Sequence, residues 1–148
     1  MTESNPSPFI ATVHVCIYEL DSFGHVNNSV YLNYMEEARS EYLKTLDLNF
    51  NDLIPHGVHL VIVESHVKYV SPSRYGDAIQ IVGRFRDVTA VSLYIDYTLT
   101  EETTGRLIAT GWTRGAFVNA TTGRPTRAPQ RFQDAFRKAV TLSEPPAA

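Results

Sequence analysis

Alternation of apolar and polar positions marks most of this chain as sheet, and one segment breaks that rhythm with a helical spacing. Between Phe9 and Leu20, Ile10, Val13, Val15 and Ile17 recur in rough alternation, which predicts a first strand. Past Ser29 the period changes. Tyr31, Tyr34 or Met35, Ala38, Tyr42 and Leu46 follow one another at helical spacing, so the longest helix of the chain is expected there. Asp47 to Gly57, punctuated by Asn49, Asn51, Pro55 and Gly57, reads as a connection. A long strand is expected from Val58 to Val70, with Val61, Val63, Val67 and Tyr69 on one side and Glu64, His66 and Lys68 on the other. After a loop from Ser71 to Gly76, Asp77 to Arg86 resumes alternation through Ile79, Ile81 and Phe85. The cleanest half-buried strand follows, where Val91, Leu93, Ile95, Tyr97 and Leu99 alternate with Ser92, Tyr94, Asp96, Thr98 and Thr100. A turn at Glu101 to Gly105 leads into a last strand, Arg106 to Val118, and Phe132, Ala135, Phe136 and Ala139 predict a short terminal helix over Gln130 to Val140.

The order is strand, long helix, four strands in succession, terminal helix. Short connections between strands predict an antiparallel sheet, and one long amphipathic helix is its natural cover. The expected class is therefore α+β, with a five-stranded antiparallel sheet wrapped around one long central helix. At 148 residues the chain reads as a single domain spanning 1–148, with loose ends at about 1–8 and 143–148. Such a length buries roughly 70 % of the surface the unfolded chain exposes. An open sheet leaves edges, and pairing with a second copy would cover them.

Composition narrows the function classes. A hydrophobic fraction of 43 % with 20 % charged residues is that of an ordinary globular protein. A formal net charge of −3 without a Lys/Arg cluster argues against a nucleic-acid partner. The single cysteine, Cys16, cannot form an internal disulfide, and its place in an apolar strand pattern predicts a buried structural thiol. The start, MTESNPSPF, lacks the basic and apolar runs of a signal peptide, and no stretch approaches the roughly 18 apolar residues of a membrane span. A cytoplasmic location is expected. His56, His59 and His66 fall on a loop and a strand without a cysteine or a helical His pair, so no metal site is expected.

Chemistry concentrates where the polar run from Asp21 to Ser29 enters the long helix. Asn27, Asn28 and Ser29 are all good N-cap residues. The first-turn N–H groups that remain lack intrahelical acceptors, and the helix dipole adds partial positive charge at that end. Such a place favours a carboxylate or a developing oxyanion. Gly24 lets the loop turn, so Asp21 can fold back towards those donors. A carboxylate beside such a helix end suits hydrolysis; the plainer alternative is that Asp21 caps its own turn, and spacing leaves both open. No Gly-x-Ser-x-Gly elbow or Ser/His/Asp or Cys/His signature is present.

The run Asp21-x-x-Gly24-His25-Val26-Asn27-Asn28-x-x-Tyr31, followed by Glu36-Glu37-Ala38-Arg39, resembles the hotdog-fold thioesterases of the 4-hydroxybenzoyl-CoA thioesterase type, particularly their acyl-CoA thioesterase branch. Tyr75-Gly76-Asp77 and Thr122-Gly123-Arg124-Pro125, with Pro129 beyond, match in the same order, so the resemblance runs from about Val13 to Phe136. It implies a single hotdog domain that pairs into a homodimer or homotetramer, with active sites at the dimer interface. It further implies hydrolysis of acyl-CoA to free acid and CoA, with Asp21 as base or nucleophile and the Asn28 backbone N–H as oxyanion donor. Gly24, His25, Asn27 and Tyr31 are the expected substrate contacts. No cofactor is expected, coenzyme A being part of the substrate. A related branch carries a histidine at the position of Asn28, which leaves the role of that side chain open. Another uses a helix glutamate as its acid, but Glu36 and Glu37 lie over two turns into the helix and are expected at the surface.

Thioester hydrolysis makes sense for so small a site. The acyl group is activated, the thiolate leaving group needs little protonation, and one well-aimed donor contributes about 10²–10³ in rate. Alternatives on the same fold are an acyl-carrier-protein thioesterase, an enoyl-thioester hydratase using His25 beside Asp21, and a non-catalytic acyl-thioester-binding module. His25 would contact substrate, orient Asp21 or fix the turn. Tyr31, Tyr34, Met35 and Tyr42 would line an acyl channel, the core, or both. Arg124, Arg127 and Arg131 would meet the phosphates of coenzyme A or form a solvated run.

Overall fold

The computed structural model describes residues 9–143. Its strands are β1 (Phe9–His14), β2 (Val58–Tyr69), β3 (Ala78–Arg86), β4 (Ser92–Glu101) and β5 (Leu107–Asn119). Two helices, α1 (Val30–Thr45) and α2 (Gln130–Ser143), accompany them, with short 3-10 segments at Ile17–Glu19 and Phe50–His56. The strands form one sheet in the order β1-β3-β4-β5-β2, antiparallel at every junction. The five strands and the long helix match the expectation. Of the expected loose ends, all but Ser143, the last residue of α2, lie outside the described residues.

One face of the sheet carries the core. Ile79, Ile81 and Phe85 of β3, Leu93, Ile95, Tyr97 and Leu99 of β4, and Ala109 and Phe117 of β5 are buried there. Tyr31, Tyr34, Met35, Ala38 and Tyr42 of α1 close over them, and Phe132, Phe136 and Ala139 of α2 fill the far end. Glycine permits close approach at two points. A Cβ at Gly111 would collide with the His66 backbone carbonyl and crowd the Met35 methyl, and one at Gly83 would overlap the Phe9 ring. That ring stacks on Tyr42 at 4.5 Å and so ties β1 to α1.

Four expectations are corrected. The first strand stops at His14, because the chain turns into a 3-10 segment capped by Cys16 and Glu19; Ile10, Ile17 and Tyr18 are exposed and Cys16 is only half-buried. In β2 the register shifts between Ile62 and Glu64, which reverses the alternation. Leu60 and Ile62 therefore share the inner face with Ser65, Val67 and Tyr69, while Val61 falls on the side of His66. The Asp47 to Gly57 connection contains the Phe50–His56 segment, started by a capping box of Asn49 and Asp52 and ended by Gly57 at φ +65°. Finally, β2 and β3 are consecutive in sequence but not neighbours in the sheet, so the Val70 to Asp77 connection crosses its end. That crossing segment helps to build the site.

Candidate active site

The Asp21 loop is tied at both sides. Asp21 N donates to His25 O at 2.6 Å and Gly24 N to Asp21 O at 3.1 Å, with Gly24 at φ +79°. Val26 N donates to Ser73 O at 2.9 Å, and His25 bridges Arg74, so the crossing segment holds the loop from outside. Within the loop, Asp21 Oδ1 accepts from Phe23 N at 2.8 Å and His25 N at 3.1 Å. One carboxylate oxygen thus caps the turn, as the plainer alternative had it. Among the described residues, no donor is recorded for Oδ2. The His25 backbone, not its imidazole, steadies Asp21.

At the helix start, four successive N–H groups have different fates. Asn27 N donates to Glu19 O at 2.9 Å, Ser29 N to Asn27 Oδ1 at 3.0 Å, and Val30 N to Asn27 O at 2.9 Å. Among the described residues, the Asn28 N–H has no acceptor. It sits where the helix dipole leaves partial positive charge.

Asp21, His25, Asn28 and Tyr31 all line one open cleft of about 300 Å³, with Val26, Tyr69, Val70, Ser71 and Pro72. Gly24 and Asn27, expected as substrate contacts, do not line it; the first shapes the turn, and the side chain of the second accepts from Ser29 N and Ser29 Oγ just ahead of the helix. Glu36 and Glu37 are exposed on α1. Tyr34, Met35 and Tyr42 belong to the core, whereas Tyr31 is both buried and part of the cleft wall. Burial pushes the Tyr31 phenol above its ordinary value, and Ser73 partly offsets that.

Several contributors were not apparent from the sequence. Tyr69, at the end of β2, donates its hydroxyl to Asn28 O at 2.8 Å. Arg106 braces the crossing segment, donating to Ser71 Oγ and Pro72 O, each at 2.7 Å. Glu19 accepts from Tyr34 Oη at 2.9 Å and from Cys16 N at 2.7 Å, which fastens the 3-10 turn to α1. Only Glu19 left a local trace, as the last residue of Cys16-x-x-Glu19 before the motif.

The late arginines stand apart from the cleft. Arg131 donates to Asp47 O at 2.6 Å and lies 3.5 Å from its carboxylate, while Arg124 and Arg127 are exposed. His66 stacks on Trp112 on the outer face of the sheet. Among the described residues, no group of three or more His, Cys, Asp or Glu is placed to hold a metal ion, and no helix is long and apolar enough to cross a membrane.

An antiparallel sheet curled over one long helix, with a carboxylate loop abutting the helix start, is the hotdog fold. The chain belongs to the thioesterase-like superfamily, whose family model matches residues 15–136. It resembles the chloroplastic acyl-acyl carrier protein thioesterase ATL3 of Arabidopsis thaliana, with 39 % identity over 80 residues, 54 % of this chain and 42 % of that one. It thus spans less than half the length of that relative. The long-chain acyl-CoA thioesterase FadM of Escherichia coli is 30 % identical over 92 residues, 62 % of this chain and 69 % of FadM. A 1,4-dihydroxy-2-naphthoyl-CoA thioesterase from Synechocystis superimposes with a TM-score of 0.82 at 21 % identity, covering 87 % of this chain and 95 % of its own, a likeness of fold.

Proposed function

We propose that this protein hydrolyses acyl thioesters to a free acid and a thiol, using Asp21 and the Asn28 backbone N–H. The observation that carries this reading is their presence on one cleft, where, among the described residues, the Asp21 carboxylate has one oxygen uncommitted and the N–H has no acceptor. In the general-base route, Asp21 takes a proton from water as the water oxygen bonds to the acyl carbon. Negative charge then develops on the carbonyl oxygen, where the N–H and the helix dipole stabilise it. The C–S bond breaks, the electron pair leaves with sulfur, and the proton held by Asp21 or one from solvent completes the thiol. In the alternative route the carboxylate oxygen bonds to the acyl carbon, the C–S bond breaks with its electron pair leaving on the thiolate, and water then cleaves the resulting anhydride to the free acid and the Asp21 carboxylate.

Acyl-CoA and acyl-carrier protein are the two substrate carriers supported by the names of the relatives, and a cytoplasmic location suits either. The working unit is a homodimer or a dimer of dimers, because β2 leaves a long exposed edge that a second copy would pair. Thiol release from short, long and aromatic acyl-CoAs, compared between the native protein and Asp21→Asn, tests the assignment. The expected result is hydrolysis that falls at least about a hundredfold in the variant with folding intact. Equal rates would move catalysis away from Asp21. Tight acyl-CoA binding without release, repeated with acyl-carrier-protein substrates, would make the protein a binding module.

A further inference from the structure

The peptide joining Asn28 to Ser29 is held at both polar ends. Its carbonyl accepts from Tyr69 Oη at 2.8 Å, and its N–H donates to Asn27 Oδ1 at 3.0 Å. The preceding peptide is held at its carbonyl, since Asn27 O accepts from Val30 N at 2.9 Å. The N–H of that second peptide is the Asn28 donor, which has no acceptor among the described residues. The Asn28 N–H lies in the plane of the Asn27–Asn28 peptide, and the clamped Asn28–Ser29 peptide limits that plane through the two backbone torsions of Asn28 that join them.

All but one of these clamps come from the loop and helix start. Tyr69 is the exception, 41 residues away in sequence. Its ring stands edge-on to Tyr31 at 5.4 Å, and Tyr31 stands edge-on to Tyr34 at 5.9 Å. The hydroxyl is therefore carried on a braced ring, and it reaches across the cleft that Tyr69, Tyr31 and Asn28 share.

We infer that Tyr69 is a positioning residue: its hydroxyl locks the Asn28–Ser29 peptide so that the Asn28 N–H points steadily at the reacting carbonyl. This rests on the reading of Asn28 as oxyanion donor given above. Such a donor works because it is oriented before charge develops, and a donor left to swing must be reoriented during the reaction. A clamp of this kind acts on the transition state more than on substrate binding, so it belongs to kcat and not to KM.

Tyr69→Phe keeps the ring against Tyr31 and removes only the hydroxyl. The expected outcome is a kcat for acyl-CoA hydrolysis about tenfold lower with KM within about twofold, and unchanged thermal unfolding. Backbone amide NMR should show the Asn28 and Ser29 resonances shifted, with faster exchange at the Asn28 N–H. An unchanged kcat, or a rise in KM alone, would overturn the inference and make Tyr69 a substrate contact or a plain wall. Resonances of Asn28 that stay in place would overturn it as well. Asp21→Asn is measured alongside: if it leaves thiol release unchanged, the assignment of Asp21 fails, and if the native protein releases none, the hydrolase reading fails. The NMR comparison still decides whether Tyr69 sets the Asn28 N–H.

Discussion

Asn28 brings two candidate groups to the cleft, a backbone N–H and a side-chain amide, and among the described residues only the first belongs to a unit held by a hydrogen bond, that of Val30 N to Asn27 O. Asn28→Ala removes the side chain and leaves the N–H, so thiol release is expected within about threefold of the native rate, compared with the roughly 10²–10³ that a lost oxyanion donor costs. A tenfold or greater fall would give the side chain a role. Away from the cleft, Glu101 accepts from Thr104 Oγ1 at 2.7 Å, Thr104 N at 2.8 Å and Thr103 N at 3.1 Å. The Thr104 hydroxyl and N–H lead in pulling its carboxyl from 4.5 down to about 2. A carboxylate with a folded value below its unfolded one stabilises the fold above the unfolded value and loses that contribution as pH falls towards the folded one. Denaturant unfolding across about pH 2 to 6 should accordingly show a steeper acid loss for the native protein than for Glu101→Gln, which has no carboxylate to protonate. Residues with local bonds were legible in the sequence. Asp21 and Asn28 stand in one short motif whose turn and cap chemistry is written within a few positions, whereas Tyr69 and Ser71 reach the cleft only through strand register and a crossover.

Elements show the same division. Helix α1 was legible because its buried positions recur on one stripe, and β4 because its alternation is unbroken. Strand β2 was legible in extent but not in facing, since one extra residue at Val63 reverses which side chains look inward. The first strand is shorter than its apolar pattern suggests, because Ile17 and Tyr18 continue that pattern in a segment that the Cys16–Glu19 turn takes out of the sheet. Glycine in a strand carries information that periodicity misses. Gly83 lies between Phe9 and Tyr97 in register, and the space of its missing side chain is occupied by the Phe9 ring, which stacks on Tyr42. Gly83→Ala would push that ring out of its stack and loosen β1 from α1, a cost of about 1–3 kcal/mol. The check is a lower denaturant midpoint with an unchanged slope. A neutral result would mean that Phe9 has room to move, and would weaken its place as the tie between strand and helix.

At the scale of the whole molecule, the two sheet edges differ. Edge β1 has 6 residues, whereas edge β2 has 12 and carries Ile62 and Val63 at 43 % and 46 % exposure. A long edge with apolar side chains and unpaired backbone groups is a template for another strand. A second β2 meeting it about a two-fold axis would extend the sheet without a break and cover both sets of side chains. The native protein is then expected to sediment at about twice its 16.6 kDa at micromolar concentration. Val63→Lys places a charge on that edge, a device that natural sheets use to prevent such pairing, and should shift the population to monomer. The cleft makes this more than a matter of assembly, because Tyr69 ends the same strand and reaches from it to the Asn28 carbonyl. If β2 pairing holds that strand end in place, the monomeric variant should lose kcat although Asp21, Asn28 and Tyr69 are all intact. A native protein that sediments as a monomer would reject edge pairing. A monomeric Val63→Lys variant with full activity would show that one chain holds its cleft in order unaided.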